Sequence, residues 1–397
     1  MQAPPRCFIV KSFTPYASLE VMLTDIGFAL QRRHLAVTDH LHSNFPNFEL
    51  FKRQFAQVSK HEGRRFVIDE NSEHNYRTDG RSLYDVWNLP RFSFITDNPA
   101  RKVDLLKDFP DIGMAGVVDL DFVDIWDEFQ FPGRGVIPFP HGGPDALPQT
   151  PSTAERDIDV LLVGNISSAL DTEEWLGASA GPDPVLRKAY QRAFERSVSG
   201  DESLWRILRA EFQDAGVEAD PDFVAGAVCH LETHLIAHRR RSILQALEGR
   251  KVAFYGNQEE GEALSVSDDV TVHDILPFRD AVDVMMRSKI VLNISPSFRN
   301  GAHERVFYGL SRGAFILAEE TRYLHREAEE ELGVFFLPYD VSKVMDSVNA
   351  ILDRPDAELD ALRGRAVAHY QQHHTWGQRV DGMLDAMARE FWSGENA

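Results

Sequence analysis

Cysteine is scarce: Cys7 and Cys229 are the two thiols among 397 residues. They are too few and too far apart for a disulfide framework, and they lack metal-ligand spacing. They read as free thiols in a reducing compartment. Long apolar runs are missing as well. No stretch reaches the ~18 consecutive apolar residues of a membrane-spanning helix, and Met1–Pro5 lacks the basic-then-apolar order of a secretion signal. A soluble, cytoplasmic protein is therefore expected. Basic residues are in deficit, with 42 Lys and Arg against 62 Asp and Glu and a formal net charge of −20. A field of that sign repels nucleic acid and anionic lipid, so no nucleic-acid partner is expected. Any anionic ligand must be held by a local cluster of Arg, His and backbone N–H groups.

What is present is ordinary globular composition, 43% hydrophobic and 26% charged. The length exceeds the ~250–300 residues at which single cores stop growing, so two domains are expected. Short apolar runs at Cys7–Phe13, Phe66–Asp69, Phe92–Thr96, Met114–Leu120 and Val136–Phe139 read as strands. Leu19–Arg33 has helical spacing, with Leu19, Met22, Leu23, Ile26 and Leu30 on one face. The Pro- and Gly-rich stretch Pro138–Pro151 punctuates the chain as a linker. Beyond it, Asp157–Gly164 is a continuous apolar run that suits a strand buried on both faces. A helical stretch, Asp183–Glu248, follows. Strands then return at Lys251–Tyr255, Val270–Ile275, Ile290–Ser295, Ala314–Glu319 and Val334–Leu337, with helices between the later ones. Such alternation marks a parallel, doubly wound sheet. The expected organisation is an N-terminal Rossmann-like domain over 1–150 and a C-terminal Rossmann-like domain over 151–375. The second carries a helical insertion at about 170–248, and a last helix over 376–397 packs back on the first.

The strongest chemical signal is Ile290–Glu320: strand, polar loop, short helix, Gly stop, strand. Asn300-Gly301 is a turn pair. The helix begins near His303 or Glu304, and Gly313 ends it as a C′ glycine. A helix N-terminus offers unpaired N–H groups and partial positive charge, which suit a diphosphate. Arg299, His303 and Arg305 lie within a turn of it, and Arg can fork phosphate oxygens. The competing structural readings are that Arg299 and Arg305 are solvated surface charges, that His303 merely starts the helix, and that Glu304 is a first-turn acid favoured by the dipole. As a ligand, Arg305 is expected to be a solvent-facing side chain whose removal changes stability little.

The string Gly301-Ala302-His303-Glu304-Arg305-Val306-Phe307 with Gly313-Ala314 resembles the donor motif of the CgeB-like glycosyltransferases, which have the GT-B fold and are of glycosyl transferases group 1 type. Phe254-Tyr255-Gly256-Asn257, the stretch His273 to Phe278, and Phe139-Pro140-His141-Gly142-Gly143 fit the same pattern. The resemblance covers the second half of the chain well and the first half loosely. It implies an α/β GT-B fold, with two Rossmann-like domains facing across a cleft. It also implies a nucleotide-sugar as donor substrate, with no cofactor and no metal. Donor contacts are then expected from Gly256, Asn257, Ile275, Arg299, Asn300, Gly301, His303, Glu304, Arg305 and Tyr308. Many retaining GT-B enzymes have Glu where this chain has Tyr308. A phenol cannot accept from two ribose hydroxyls at once, and Glu304, one turn earlier, could take over.

Transfer also needs a base for the acceptor. Asp97, at a strand end before Asn98-Pro99, and His141, in the hinge-like loop, are the candidates; Asp69 and Asp121 also lie at strand ends. The structural alternatives are a helix cap at Asp97 or Asn98 and an interdomain histidine at 141. Asp119-Leu120-Asp121 resembles a metal-holding carboxylate pair but reads as a chance pair. The function expected is sugar transfer to an unidentified acceptor: a glycan, a lipid-linked glycan, a metabolite or a protein. The alternatives are a non-catalytic nucleotide- or sugar-binding protein and a GT-B-like nucleotide-sugar epimerase.

Overall fold

The computed structural model describes residues 4–12, 16–42, 48–166, 171–256, 268–327 and 332–392. The chain forms two compact units: Met1–Pro144 with His374–Ala397, and Asp145–His373.

The first unit is built on six strands: β1 (Arg6–Ser12), β2 (Ala36–His42), β3 (Arg65–Glu70), β4 (Arg91–Ile95), β5 (Gly113–Val117) and β6 (Val136–Pro138). All pair in parallel, in the order β2-β1-β3-β4-β5-β6. The central strands are apolar without alternation because both faces are covered. Cys7, Phe8, Ile9 and Val10 of β1 are fully buried, as are Phe66, Val67 and Ile68 of β3. The helix Ser18–Gln31 buries Val21, Met22, Leu23, Ile26, Ala29 and Leu30. The C-terminal helix Trp376–Phe391 belongs to this unit. Trp376 packs edge-on to Phe94 at 5.7 Å, and its N–H donates to the Gly143 carbonyl at 2.8 Å. Arg33 donates to the Gly377 carbonyl at 2.6 Å and pairs with Asp381. Within the sheet, Arg91 and Asp69 form an ion pair at 0% exposure, Nε to Oδ1 3.1 Å. Removing one partner from such a pair costs about 3–5 kcal/mol, since a charge is left buried alone.

The second unit holds β7 (Ile158–Val163), β8 (Val252–Tyr255), β9 (Val270–His273), β10 (Ser288–Asn293), β11 (Phe315–Ala318) and β12 (Val334–Phe336). The order is β9-β8-β7-β10-β11-β12, again all parallel. Counted within the unit this is 3-2-1-4-5-6, the Rossmann order. Between β7 and β8 run the helices Thr172–Ala180, Pro184–Ser199, Leu204–Asp214 and Pro221–Ala246. Three of them open on aspartate caps, Asp171, Asp183 and Asp220. The long last helix brings Ile243, Leu244 and Leu247 against Val160, Leu162, Phe254, Ile290 and Leu292. Leu162 is fully buried there, and truncating it to Ala costs about 2–5 kcal/mol. Among the described residues, no helix is long and apolar enough to cross a membrane.

Candidate active site

In open parallel sheets, ligands bind beyond the carboxyl ends of the strands, where the strand order reverses. In the second unit that point lies between β7 and β10. Gly164 follows β7 with φ 149°, which admits glycine readily. A Cβ on Gly256, which follows β8, would come within 2.0 Å of the Gly164 carbonyl oxygen. Two bare backbones therefore approach each other at the strand ends.

Two guanidiniums flank this approach. A Cβ at Gly164 would sit 3.0 Å from Arg305 Nη1 and 3.3 Å from Arg240 Nη1. Arg305 Nη1 donates to the Val163 carbonyl at 2.6 Å, and its Nη2 lies 3.4 Å from Ser295 Oγ. Its Nε and Nη2 also approach the His303 ring nitrogens at 3.2 and 3.0 Å. Arg240, near the end of the helix Pro221–Ala246, donates to the carbonyls of Ile294 and Asn165. The neighbouring Arg239 has a different task. Its fork meets Glu319, at the end of β11, at 3.0 and 3.2 Å in a buried pair.

The helix Glu304–Ser311 starts at the same pole. Its cap residue His303 is extended, at φ −74° and ψ 152°, and makes no side-chain capping bond. Such an end presents N–H groups to an anion. All eight residues of the helix are buried. Gly313, at φ 72°, closes it, and its carbonyl accepts from Arg363 Nε at 2.7 Å.

The residues expected at the donor site divide in this structure. Gly256, His303, Glu304 and Arg305 gather at the strand ends, with His303 Nδ1 2.5 Å from Glu304 Oε2. Arg305 is not the solvent-facing side chain expected from the sequence: it is 3% exposed and bound to a strand-end carbonyl. Its removal therefore bears on stability. Arg299 is equally buried, and its fork holds the carbonyls of Gly200 and Ser197 at 2.5 and 2.6 Å. It ties the loop to the end of the helix Pro184–Ser199 rather than offering itself to a ligand. Tyr308, 1% exposed, packs edge-on to Phe278 at 4.9 Å within the core. Gly301 is buried, with its carbonyl accepting from Thr321 Oγ1 at 2.9 Å. Asn300 and Ile275 are half-buried loop residues. Asn257 lies outside the described residues.

The two base candidates also separate. His141 is 2% exposed and stands edge-on to Phe94 at 5.6 Å, in the core of the first unit. Asp97 lies in a polar network at the carboxyl pole of the first sheet. It accepts from Asn71 Nδ2 at 3.1 Å and faces Lys102 Nζ at 3.5 Å. Asn98, as expected of a cap, accepts from the Ala100 N–H at 3.1 Å. Asp119 accepts from the Asp121 N–H at 2.8 Å, the role of a turn residue. Among the described residues, no group of three or more His, Cys, Asp or Glu could hold a metal ion.

Arg240 was not among the residues expected at the donor site. The run Arg239-Arg240-Arg241 on a helix reads as a solvated face, and only the strand order brings it to Gly164.

Residues 239–385 match the family described as glycosyl transferase-like. No curated protein matches the chain. Among solved structures, sucrose-phosphate synthase from Thermosynechococcus elongatus aligns over 98% of this chain and 100% of its own, at 10% identity and a TM-score of 0.54. T4 phage BGT in complex with its UDP-glucose substrate aligns over 98% and 99%, at 10% identity and TM-score 0.54. An alpha-glucosyltransferase in complex with UDP and a 13-mer DNA aligns over 97% and 100%, at 9% identity and TM-score 0.56. The chain has the GT-B glycosyltransferase fold, two parallel-sheet α/β domains, and its matched segment begins at Arg239 and runs through the helix Glu304–Ser311.

Proposed function

We propose that this protein transfers a sugar from a nucleotide-sugar donor to a hydroxyl-bearing acceptor, and that the donor diphosphate binds at the reversal point of the second sheet. The observation that carries this reading is the pair of guanidiniums, Arg240 and Arg305, bracketing Gly164 beside the N-terminus of Glu304–Ser311. A departing nucleoside diphosphate needs its developing charge neutralised, and fixed donors do this without reorganising. In a chain of net charge −20, two arginines converging on one strand end form a local cationic site. Half-buried Arg240 is the phosphate contact. Arg305 fixes the β7 end against the helix start. His303 and Glu304 stand at the same helix start, and Glu304 is the carboxylate available to donor hydroxyls.

The two guanidiniums and the helix N–H groups supply the neutralising charge, so donor binding is independent of added divalent cation. The T4 phage BGT structure with UDP holds Mn2+, so the point needs its own measurement: donor affinity in EDTA against affinity with manganese. The overall charge weighs against a polyanionic acceptor. The CgeB-like group remains the subfamily whose motif the segment Gly301–Phe307 resembles.

The test is a panel of UDP-, GDP-, ADP- and TDP-sugars. Release of the matching nucleoside diphosphate supports transfer. Binding without release identifies a non-catalytic receptor, and an isomerised sugar seen by NMR identifies an epimerase.

A further inference from the structure

The carboxyl pole of the first sheet has its own reversal point. With β2-β1-β3 as the local order, it falls between β1 and β3. Ser12 ends β1, Glu70 ends β3, and His74 follows shortly after. Asn71 and Ser72, at φ 47° and 58°, turn the chain so sharply that His74 returns to Ser12. Ser12 Oγ is 3.0 Å from His74 Nε2 and 3.0 Å from Glu73 Oε2. Behind them, Glu70 Oε1 accepts the Ser12 N–H and lies 3.7 Å from His74 Nε2. Tyr76 Oη stands 3.4 Å from the other ring nitrogen, Nδ1. Lys102 bonds Glu73 at 2.9 Å and links this group to Asp97.

Glu70 is the informative residue. It is 0% exposed, and its Oε2 has no hydrogen-bond partner among the described residues. A carboxylate buried in that state is costly unless a positive charge stands beside it. Arg91 is committed to Asp69, and Lys102 to Glu73 and Asp97. Among the described residues, the imidazole of His74 faces Glu70, with Nε2 3.7 Å from its Oε1. His74 Nε2 thus stands between the buried carboxylate of Glu70 and the hydroxyl of Ser12.

We propose that Ser12, His74 and Glu70 form the acceptor-hydroxyl site of the first unit, with His74 as the general base. The proposal rests on the transferase reading. The Ser12 hydroxyl turns from Glu73 Oε2 to His74 Nε2 and passes its proton there while the acceptor O–H gives its own proton to Ser12 Oγ; His74 Nδ1–H faces Tyr76. The acceptor oxygen bonds the anomeric carbon. The bond from that carbon to the diphosphate oxygen breaks, and its electron pair leaves with the nucleoside diphosphate. The imidazolium left behind is paired with Glu70.

The titratable and charged groups around His74 are Glu70, Glu73, Tyr76 and Lys102, the Asp69–Arg91 pair, and His40. The experiment uses the full chain, the donor found by the panel, and water as the probe acceptor, reading nucleoside diphosphate release against pH. For the wild type the rate rises with pH along one limb, because the base must be neutral to accept. His74→Gln lowers kcat by roughly 10²–10⁴-fold, leaves donor KM within about twofold, and abolishes the limb. Glu70→Gln moves the limb to lower pH, which a purely structural role would not do. A His74→Gln protein with wild-type kcat and an unchanged limb overturns the assignment. If that variant does not fold, Ser12→Ala decides: a tenfold or greater loss of kcat supports the relay, and wild-type kcat refutes it. If no donor binds the wild type, the transferase reading itself fails and takes this inference with it.

Discussion

Truncation of Arg305 should be felt mainly in stability, and truncation of Arg240 mainly in donor affinity. Arg305→Ala removes a side chain that is 3% exposed and leaves the Val163 carbonyl without its 2.6 Å donor. An unsatisfied buried acceptor costs about 1–3 kcal/mol, and the lost packing of the stem brings the total to about 2–4 kcal/mol. At ~2–4 °C per kcal/mol for a unit of this size, the melting temperature falls by roughly 5–15 °C. Arg240→Ala removes a half-buried side chain that donates to the carbonyl of buried Ile294 and to that of exposed Asn165. Leaving the Ile294 carbonyl without this donor costs about 1–3 kcal/mol, so melting falls here too, by less than for Arg305→Ala. If its guanidinium meets the donor diphosphate, a charge-assisted bond of about 1.5–3 kcal/mol is lost, or roughly 10- to 150-fold in donor affinity. Calorimetric melting and donor titration of both variants decide the matter. The reasoning is refuted if Arg305→Ala melts with the wild type while losing donor affinity, or if Arg240→Ala binds donor as the wild type does.

Two further outcomes follow from the second unit. Gly256→Ala drives a Cβ to 2.0 Å from the Gly164 carbonyl oxygen; forcing the strand ends apart costs about 1–3 kcal/mol. Donor affinity should fall with it, as read by thermal melting and donor titration together. His234, 5% exposed and stacked on Trp175 at 4.4 Å, has its pKa pushed down to about 4, first by burial and then by His238. The unfolded chain then binds the extra proton as pH falls below about 6.5, so stability is full above that pH and is lost progressively toward pH 4. Melting at pH 7 and pH 5 should show this loss, and His234→Phe, which keeps an aromatic ring against Trp175, should shrink it.

Strands buried on both faces were legible because their sequences are continuous apolar runs. Phe92–Thr96 and Asp157–Gly164 fall within a residue or two of β4 and β7. The strand β2 was not, because it is an edge: Thr38 and Asp39 are exposed, and its residues carry little apolar signal. That omission hid more than one strand. Without β2 the reversal between β1 and β3 cannot be drawn, so Asp69–His74 reads as a strand end running into a polar loop, and Ser12 as one more terminal residue. In the second unit the helix start and the Gly313 stop were readable from local chemistry, since φ 72° and an N-terminal turn pair are local facts. Whether Arg299 and Arg305 face solvent was not readable. Burial of a guanidinium depends on which carbonyls the topology places around it.

That dependence explains how a charge is kept at each reversal point. Parallel strands end with carbonyls to which no further strand donates, and a buried carbonyl must find a donor. In the second unit Arg305 meets that need at Val163 and Arg240 at Ile294, so the groups that complete the backbone also accumulate positive charge. In the first unit the demand is reversed. The donor at the end of β1 is the Ser12 N–H, and the group that meets it is the Glu70 carboxylate. The same structural requirement thus leaves cations at one pole and an anion with a titratable imidazole at the other.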